Sequence, residues 1–486
     1  GGRSSPVVAV AGAAIDLSPR WLKDFAIRTF GTADKLALLV GIGALLAITA
    51  VLLGMASLRR PVVGAAGLLV FAGIGLAATS TRSGAVAVDA VPTVAGAVTG
   101  LAALWWLRRL AVSGATYADD APVGRAGPEG PPVERRRLLI GALAAAGGAA
   151  FVALLGQELL YRPGVSASRD AVRLPAPTDR ASRVASGTDL RIAGLGRFFT
   201  PNAGFYRVDT AIFPPAVETD GWRLRIHGLV DRELSLDYRE LLSRPLIERD
   251  ITLTCVSNEV GGELVGNARW IGAPLRDLLQ EAGVRPGADQ IVSTSVDGFT
   301  AGTPTAIALD GRDAILAVGM NGEPLPLAHG FPVRMVVPGL YGYVSATKWL
   351  VDIELSRFGD ITPYWVRQGW APRAPIKTES RIDTPRAGAS LPPGRVAVAG
   401  VAWAQHRGIE AVEIRVDDEP WSEATLAAQD TVDTWRQWLY RWQATPGPHT
   451  LQVRATDGTG VVQTGQRVPP FPDGATGYHT IAVTVA

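Results

Sequence analysis

A single cysteine, Cys255, follows a strand-like segment and is the first candidate for chemistry in this chain. It is the only cysteine among 486 residues. The preceding run Ile251–Thr254 is rich in β-branched residues, which favour strands, and Asn258 with two glycines then turns the chain. A thiol at such a junction can point into a cleft at the end of a sheet. The alternative is a small buried hydrophobic residue, because free cysteine is among the most buried residue types.

The composition excludes several classes of site. One cysteine rules out an intramolecular disulfide, a four-cysteine zinc site and a cysteine-ligated iron–sulfur cluster. A net charge of +2 gives no global basic surface for nucleic acid. All five histidines lie at residue 227 or later, so the apolar first part cannot hold a membrane haem between two histidines. We therefore expect no haem in this chain; if electrons cross a membrane, another protein carries them.

Long apolar runs dominate the chain up to about residue 160. They predict a transmembrane region over 1–160, because each run is close to the roughly 20 residues that cross a bilayer core. Frequent Gly and Ala suit close packing of helices in lipid. The chain begins at Gly1 without a methionine, and we expect a preceding segment. The four predicted spans are about 36–58, 61–78, 85–107 and 138–160.

The charges in the loops predict the orientation of these spans. Arginines are more frequent at 59–60 and 108–137 than in the loops on the other side, so the first group is predicted to be cytoplasmic. The chain after about residue 160 is then extracytoplasmic, which makes this a multi-pass protein of the cell membrane. The run Arg135–Arg137 before the fourth span is either a positive anchor or an internal twin-arginine export signal. Asp89 lies near a span end, where placement at the interface is favoured over an intramembrane function.

Three further regions follow the spans. Residues 161–195 are rich in Pro, Ser, Arg and Ala and are typical of a linker. Residues 196–373 combine short strands with helices predicted at Asp237–Leu242 and Leu275–Ala282, which indicates an α+β domain. Residues 374–486 alternate with period two between turn residues, which predicts an immunoglobulin-like β-sandwich.

Four motifs in the α+β region occur together in a specific order. The first is Thr-Leu-Thr-Cys255-x-x-Asn258, and the second is Arg269-Trp270-x-Gly272-x-x-Leu275. The third is His329-Gly-Phe-Pro-Val-Arg334-x-Val-Val-Pro338-Gly, and the fourth is Lys348-Trp349-Leu350. Their order and approximate spacing resemble the sulfite-oxidase family of molybdopterin-dependent oxidoreductases, from about residue 205 to the end. With four spans in front, the chain is similar to membrane-anchored actinobacterial members of that family.

The resemblance implies a molybdenum–molybdopterin cofactor without a nucleotide. It places Cys255 as the thiolate ligand of molybdenum, and soft thiolates suit such a metal. It places Arg334 and Lys348 on the pterin phosphate, which guanidinium and ammonium groups bind well. It also implies cofactor contacts from Phe205, Tyr206, Arg207, Asn258, Ser295, His329, Ser345 and Thr347.

Each of these positions also has a purely structural interpretation. His329 is then a hydrogen-bonded loop residue, Arg334 a surface partner of a carboxylate, and Lys348 a solvated strand residue. The joint presence of Cys255, Arg334 and Lys348 favours the cofactor site. The second hypothesis is a cofactor-free membrane receptor or structural protein that retains the fold.

The departures from the family pattern bear on the substrate. Glu259 and Val260 stand where sulfite oxidases carry two arginines, and Trp370 stands at or near a family tyrosine. Sulfite is a dianion, and its stabilisation in a partly dry pocket needs fixed positive charge. We therefore predict oxygen-atom transfer on a neutral substrate such as a sulfoxide or an N-oxide. Trp370 and Glu259 are predicted at the catalytic pocket, with Tyr341 and Tyr343 in its wall.

Partners follow from the same resemblance. A quinone-linked or haem protein is expected to exchange electrons with the enzyme. The domain at 374–486 resembles a module that often forms dimers in this family, so a homodimer is an open alternative to a sandwich that only packs within the chain. The first 160 residues are expected to contact membrane lipid.

Overall fold

The computed structural model describes residues 10, 34–80, 90–119, 162–211 and 213–486. The chain divides into two compact units. One contains Gly1–Ser166 with Ala211–Ala216, and the other contains Ala167–Thr210 with Val217–Ala486.

The first unit contains three long apolar helices, α1 (Asp34–Arg59), α2 (Pro61–Ser80) and α3 (Val91–Asp119). Among the described residues, α2 alone is long and apolar enough to cross a membrane, and the apolar stretches Gly43–Ser57 and Val91–Trp106 are shorter. Small residues let these helices approach, since a Cβ on Gly64 would lie 3.0 Å from Leu104 Cδ2. The predicted spans 36–58 and 61–78 fall on α1 and α2. The span 85–107 overlaps α3 from residue 91, whereas the span 138–160, Asp89 and Arg135–Arg137 lie outside the described residues.

The predicted linker 161–195 differs from the structure. It opens with helix α4 (Arg162–Ala171). The Thr178 N–H donates to Leu246 O at 2.8 Å, and the Glu248 N–H donates to Asp179 O at 2.8 Å. The segment around Thr178 therefore runs along the start of a strand. The polar, Pro-rich sequence has no strand periodicity because the segment pairs mainly through its backbone, while Val172, Leu174 and Val184 pack against the apolar core.

Two sheets build the α+β region. The first has the strand order β2–β1–β10–β5–β6, with β1 and β10 parallel, and the second has the order β3–β4–β7–β8, with β9 paired to β7. Their strands are β1 (Arg223–Gly228), β2 (Leu234–Asp237), β3 (Ile247–Thr254), β4 (Val265–Pro274), β5 (Gln290–Ser295), β6 (Thr300–Pro304), β7 (Ile315–Met320), β8 (Glu323–Pro324), β9 (Arg334–Val336) and β10 (Leu350–Ser356).

Short helices connect these strands, and local sequence explains two of them. They are α5 (Tyr238–Leu242), α6 (Leu275–Ala282), α7 (Thr305–Leu309), α8 (Gly342–Ser345) and α9 (Tyr364–Arg367). Asp237 caps α5 by accepting the Glu240 N–H, while the Glu240 side chain accepts the Asp237 N–H, as in a capping box. Gly283, with φ of 71°, ends α6 in the left-handed conformation that glycine adopts without a Cβ clash. Both helices match the sequence predictions.

The C-terminal region from Glu379 is composed of two sheets that share one apolar core. One sheet has the order β11–β13–β17–β16, and the other has the order β12–β19–β18–β14–β15. Alternating burial along β18 and β19 explains the period-two pattern of the sequence. The strands are β11 (Glu379–Thr384), β12 (Ser390–Leu391), β13 (Gly394–Trp403), β14 (Ile409–Val416), β15 (Ser422–Glu423), β16 (Thr425–Leu426), β17 (Arg436–Ala444), β18 (Gly447–Asp457) and β19 (His479–Val485).

Candidate functional site

Cys255 lies immediately after β3, at the point where the chain leaves the second sheet. Its N–H donates to Leu264 O at 2.9 Å, and its carbonyl accepts the Asn258 N–H at 3.0 Å. The Asn258 side chain closes the same turn by accepting the Leu264 N–H at 2.8 Å. Asn258 therefore shapes the loop that carries the thiol. Cys255 is only 7% exposed.

Two antiparallel segments bring Arg334 and Lys348 together. The Met335 N–H donates to Thr347 O at 2.9 Å, and the Leu350 N–H donates to Val333 O at 2.9 Å, so the chain before β10 runs beside β9. Gly330, with φ of 110°, fits between the two cations, since a Cβ there would lie 3.0 Å from Arg334 Cβ and 3.1 Å from Lys348 Cβ. The spacing of the third and fourth motifs thus places two cationic side chains side by side.

These elements line a cavity that is partly open to solvent. Seven residues predicted from the sequence line it: Phe205, Tyr206, Cys255, Ser295, Arg334, Lys348 and Trp370. Tyr343 from the predicted wall also lines it. The structure therefore brings together residues that lie up to 165 positions apart in the sequence.

Burial strongly affects the two cations of the cavity. It lowers the pKa of Arg334 to about 10 and that of Lys348 to about 8, although Asp209 opposes the shift of Lys348. The Lys348 ammonium lies 2.8 Å from Asp209 Oδ2, and the Arg207 guanidinium pairs with the same carboxylate at 2.8 Å. The lining contains two cationic side chains and two carboxylates, the second being Asp297, while Arg207 adds a third cation through its pair with Asp209.

Two buried polar atoms at the cavity support the binding of an anion. Arg334 Nε and Ser295 Oγ have no hydrogen-bond partner within the described part of the chain. The other Arg334 nitrogens donate to His329 O at 3.2 Å and Ala346 O at 3.3 Å. A buried donor without an acceptor is costly, whereas a phosphate oxygen would form a short charge-assisted bond with it. The site therefore fits the phosphate of the pterin that the family resemblance implies.

Cys255 is a buried thiol in the cavity lining. Burial raises the pKa of Cys255, while hydrogen bonds from Ser257 and the positive charge of Lys348 oppose that shift. A cation that binds sulfur would displace the proton, because the thiolate is the ligand form. The interpretation of Cys255 as a purely structural residue does not explain its place in the cavity lining.

Four predicted cofactor residues, like Asn258 in the cysteine loop, do not line the cavity and instead support it. His329 Nε2 donates to Asn202 O at 3.0 Å, and burial lowers the pKa of this histidine to about 4, so its ring is neutral. Thr347 Oγ1 lies 2.7 Å from Ser293 Oγ, and Ser345 Oγ donates to Leu340 O at 3.0 Å. Arg207 pairs with Asp209. These side chains hold the loops of Arg334 and Lys348 in place.

Glu259 is a correction to the predicted pocket wall. It is exposed, it does not line the cavity, and its carbonyl accepts the Gly262 N–H at 2.8 Å in a tight turn. The turn after Cys255 carries the chain away from the cavity before Glu259 is reached. Tyr341 also lies outside the cavity lining, but it is buried. Its hydroxyl accepts the Lys377 N–H at 3.4 Å.

An aromatic wall faces the cations, and several of its residues were missed from the sequence. Trp370 contacts Tyr343 at a ring distance of 5.9 Å and Trp365 at 6.4 Å. Behind Arg334 lies Trp270 of the second motif, whose ring centroid is 5.0 Å from the guanidinium carbon. The missed lining residues include Asp209, Ser257, Asp297, Phe299, Trp349 and Trp365. Of these residues, Ser257 and Trp349 fall inside the motifs quoted above, whereas the other four lie outside them and carried no such signal.

Comparison with known proteins gives a consistent assignment. Residues 211–364 match the family described as oxidoreductase molybdopterin binding domain. The sulfite oxidase of Gallus gallus is 33% identical over 297 residues, which cover 51% of this chain and 63% of that protein. The mitochondrial sulfite oxidase of Rattus norvegicus is 30% identical, covering 51% of this chain and 52% of that protein. The chain thus spans about half to three fifths of the length of these relatives.

A shorter bacterial relative is matched over most of its length. The uncharacterized oxidoreductase YuiH of Bacillus subtilis is 33% identical over 149 residues, covering 31% of this chain and 72% of that protein. Among solved structures, the sulfane dehydrogenase SoxCD of Paracoccus pantotrophus has the same fold, with a TM-score of 0.52 and 23% identity over 58% of this chain and 80% of that one. The buried cysteine, the paired cations and these similarities together show that the chain belongs to the sulfite-oxidase family of molybdopterin oxidoreductases.

Proposed function

We propose that this oxidoreductase transfers an oxygen atom to or from a neutral small molecule, and that sulfite is a poor substrate. The observation that carries the proposal is the pair of buried cations, with an unpartnered Arg334 Nε, beside the buried Cys255. The molybdenum cofactor implied by the family fits this donor set. We propose that the pterin carries no nucleotide.

The roles of the chain's own residues follow from their positions. Cys255 would bind the metal through sulfur, and Arg334 with Lys348 would bind the pterin phosphate. Ser295 Oγ, which is buried and unpartnered in the described part of the chain, can donate to the same ligand. The bound cofactor supplies the two-electron redox chemistry, whereas the protein positions it and excludes water.

The cavity itself supports a neutral substrate. Its lining contains two cationic side chains among the described residues, Arg334 and Lys348, and the phosphate would use both. The rest of the lining is rich in aromatic side chains, among them Tyr343, Trp365 and Trp370. A dianion such as sulfite would find no further fixed positive charge there, whereas a sulfoxide or N-oxide would pack against the rings. Glu259 lies outside the cavity, so its charge does not bear on the choice of substrate.

The experiment measures molybdenum and pterin per chain in protein from a host that makes the cofactor. We expect about one of each in the wild type, because the cavity lining contains one thiol and one pair of cations. Cys255→Ala should lose molybdenum, and Arg334→Met should lose pterin. Arg249→Met is the matched control, since Arg249 pairs with Asp179 and Asp313 and does not line the cavity.

Turnover assays with the loaded protein then test the substrate. Neutral sulfoxides and N-oxides should be reduced with a kcat/KM well above that for sulfite oxidation. Faster turnover of sulfite would contradict the neutral-substrate proposal, and the absence of molybdenum and pterin from the wild type would contradict the cofactor site.

We also propose that the chain is anchored in the cell membrane with the second unit outside the cytoplasm. Exposed apolar side chains on α1, α2 and α3, such as Leu45, Val62 and Val98, support contact with lipid. A quinone-linked or haem protein would exchange electrons with the site. The strand orders of the two C-terminal sheets support a sandwich of immunoglobulin type, which a homodimer could use as its interface.

A further inference from the structure

Asp209 is a buried carboxylate placed directly on the cations of the site. Its side chain is 8% exposed, and its Oδ2 lies 2.8 Å from Lys348 Nζ. The same carboxylate accepts two hydrogen bonds from Arg207, at 2.8 Å from Nε and 3.2 Å from Nη2. Asp209 lines the cavity together with Lys348 and Arg334. It therefore satisfies two of the three cations in the cluster.

The third cation, Arg334, has no carboxylate partner among the described residues. Arg334 donates only to backbone carbonyls, and its Nε has no partner in the described residues. A phosphate that reaches Arg334 must also approach Lys348, which lies across Gly330 from it. There it would meet the Asp209 carboxylate, and two anions in a desolvated cavity repel each other strongly. Phosphate and Asp209 thus compete for one ammonium group.

We propose that Asp209 is an internal counter-ion that holds the cations in the cofactor-free protein and is displaced when the cofactor phosphate binds. The inference rests on the proposed phosphate site. Phe205 is anchored, because it packs on Trp270 at a ring distance of 5.9 Å and lies against Gly266. Asp209 follows in a segment without helix or strand, so its release need not disturb either sheet. The contact protects the buried cations before loading and selects for a ligand with enough negative charge to replace a carboxylate.

The test measures how tightly inorganic phosphate binds to the wild type and to variants of Asp209. All proteins are full-length and cofactor-free, because they are produced in a host that cannot make the pterin. Asp209→Asn keeps the shape and removes the charge, so we expect phosphate to bind at least about tenfold more tightly than to the wild type. Asp209→Glu keeps the charge and should show no such gain. Asp297→Asn is the matched control, because it removes the same charge from the same cavity lining, while the Asp297 side chain accepts the Phe299 N–H at 3.2 Å.

Titration calorimetry gives the affinity of each protein for phosphate. For a variant of low stability, the increase in Tm on adding phosphate compares its phosphate binding with that of the wild type. A gain in phosphate affinity that occurs only in Asp209→Asn supports displacement of the Asp209 carboxylate by phosphate. Equal gains in Asp209→Asn and Asp297→Asn would overturn it, since the effect would then be one of net charge. Weaker or unchanged binding in Asp209→Asn would also overturn it and make Asp209 a residue that positions Lys348. Pterin content of protein from a cofactor-producing host separates the two proposals: a wild type that carries pterin while Asp209→Asn shows no gain refutes this inference alone.

Discussion

Burial sets the protonation of Glu379, a residue outside the candidate site. It is 5% exposed in β11, and its Oε1 has no hydrogen-bond partner among the described residues. Burial raises its pKa from 4.5 to about 8, with the charge of Lys377 opposing. The folded protein therefore keeps this carboxyl protonated at neutral pH, whereas the unfolded chain ionises it.

This difference predicts a pH-dependent stability that a single substitution removes. Because the folded-state pKa lies above the unfolded one, the contribution is fully present below about pH 4.5 and is lost as the pH rises through about 8. Glu379→Gln should have little effect on the free energy of unfolding at pH 5. At pH 8 it should raise that free energy by on the order of a few kcal/mol. Urea unfolding of the wild type and of Glu379→Gln at pH 5, 6, 7 and 8 measures this difference in the free energy of unfolding.

Glu281→Gln is the control, because it should change the free energy of unfolding at neutral pH in the opposite direction. Arg244 lowers the pKa of Glu281, which lies near the surface, so its neutral replacement should slightly destabilise the protein at pH 7, by less than about 1 kcal/mol. A parallel pH dependence in wild type and Glu379→Gln would show that Glu379 is not the group that titrates.

The sequence predicted residues well where a motif ties one side chain to one ligand. Cys255, Arg334 and Lys348 lie in one cavity, as expected from the family motifs. The sequence-based prediction was wrong for Glu259, because the direction of a side chain after a turn depends on backbone geometry that the amino-acid sequence does not specify directly. It also overlooked Asp209, whose significance depends on Lys348, 139 positions later.

At the scale of elements, the turn between Leu327–His329 and β9 determines how the two cations approach. Gly330 has φ of 110°, and its missing side chain leaves the space that Arg334 and Lys348 share. Gly330→Ala should lower the free energy of unfolding by about 1–3 kcal/mol, because a Cβ is strained at positive φ and contacts both side chains. The displaced cations should also lower the pterin content per chain.

Gly322 is the matched control for this turn. It also has a positive φ, 84°, but a Cβ there meets nothing within 4 Å. Gly322→Ala should therefore show only the backbone penalty, of about 1 kcal/mol, with normal pterin content. Equal pterin content in the two variants would mean that the Gly330 turn does not control the cation pair.

The elements with local signals were predictable, and those with remote partners were not. Helices α5 and α6 follow from a capping box and a glycine stop in the sequence. The two-residue strand β12 and the ordered stretch around Thr178 depend on hydrogen bonds to distant backbone. No window of sequence contains those partners.

At the scale of the molecule, the C-terminal region supports the strand that leads to the thiol. The Trp435 N–H donates to Thr252 Oγ1 at 2.8 Å, and Gln405 Nε2 donates to Thr254 Oγ1 at 2.9 Å. Trp403 and Trp435 belong to the core of the α+β region. The boundary near residue 374 predicted from the sequence marks a change of pattern, yet packing continues across it.

The first 160 residues yield the prediction that tests the whole molecule. The loop arginines predict that the second unit lies outside the cytoplasm. Protease added to intact spheroplasts should therefore digest residues 167–486, while a cytoplasmic marker protein stays intact until the cells are lysed. Protection of that unit until lysis would reverse the predicted orientation, and release of the chain by alkaline carbonate would contradict anchoring by spans.

Replacing Arg135, Arg136 and Arg137 with lysine separates the two interpretations of that segment. The substitution keeps all three positive charges, so a plain cytoplasmic anchor should leave the second unit accessible to protease outside the cell. A twin-arginine signal is read by a receptor that requires arginine, so the same change should leave the second unit inside. Export of a folded domain would allow the proposed cofactor to enter its site among buried side chains, such as Arg334 and Cys255, before the chain crosses the membrane.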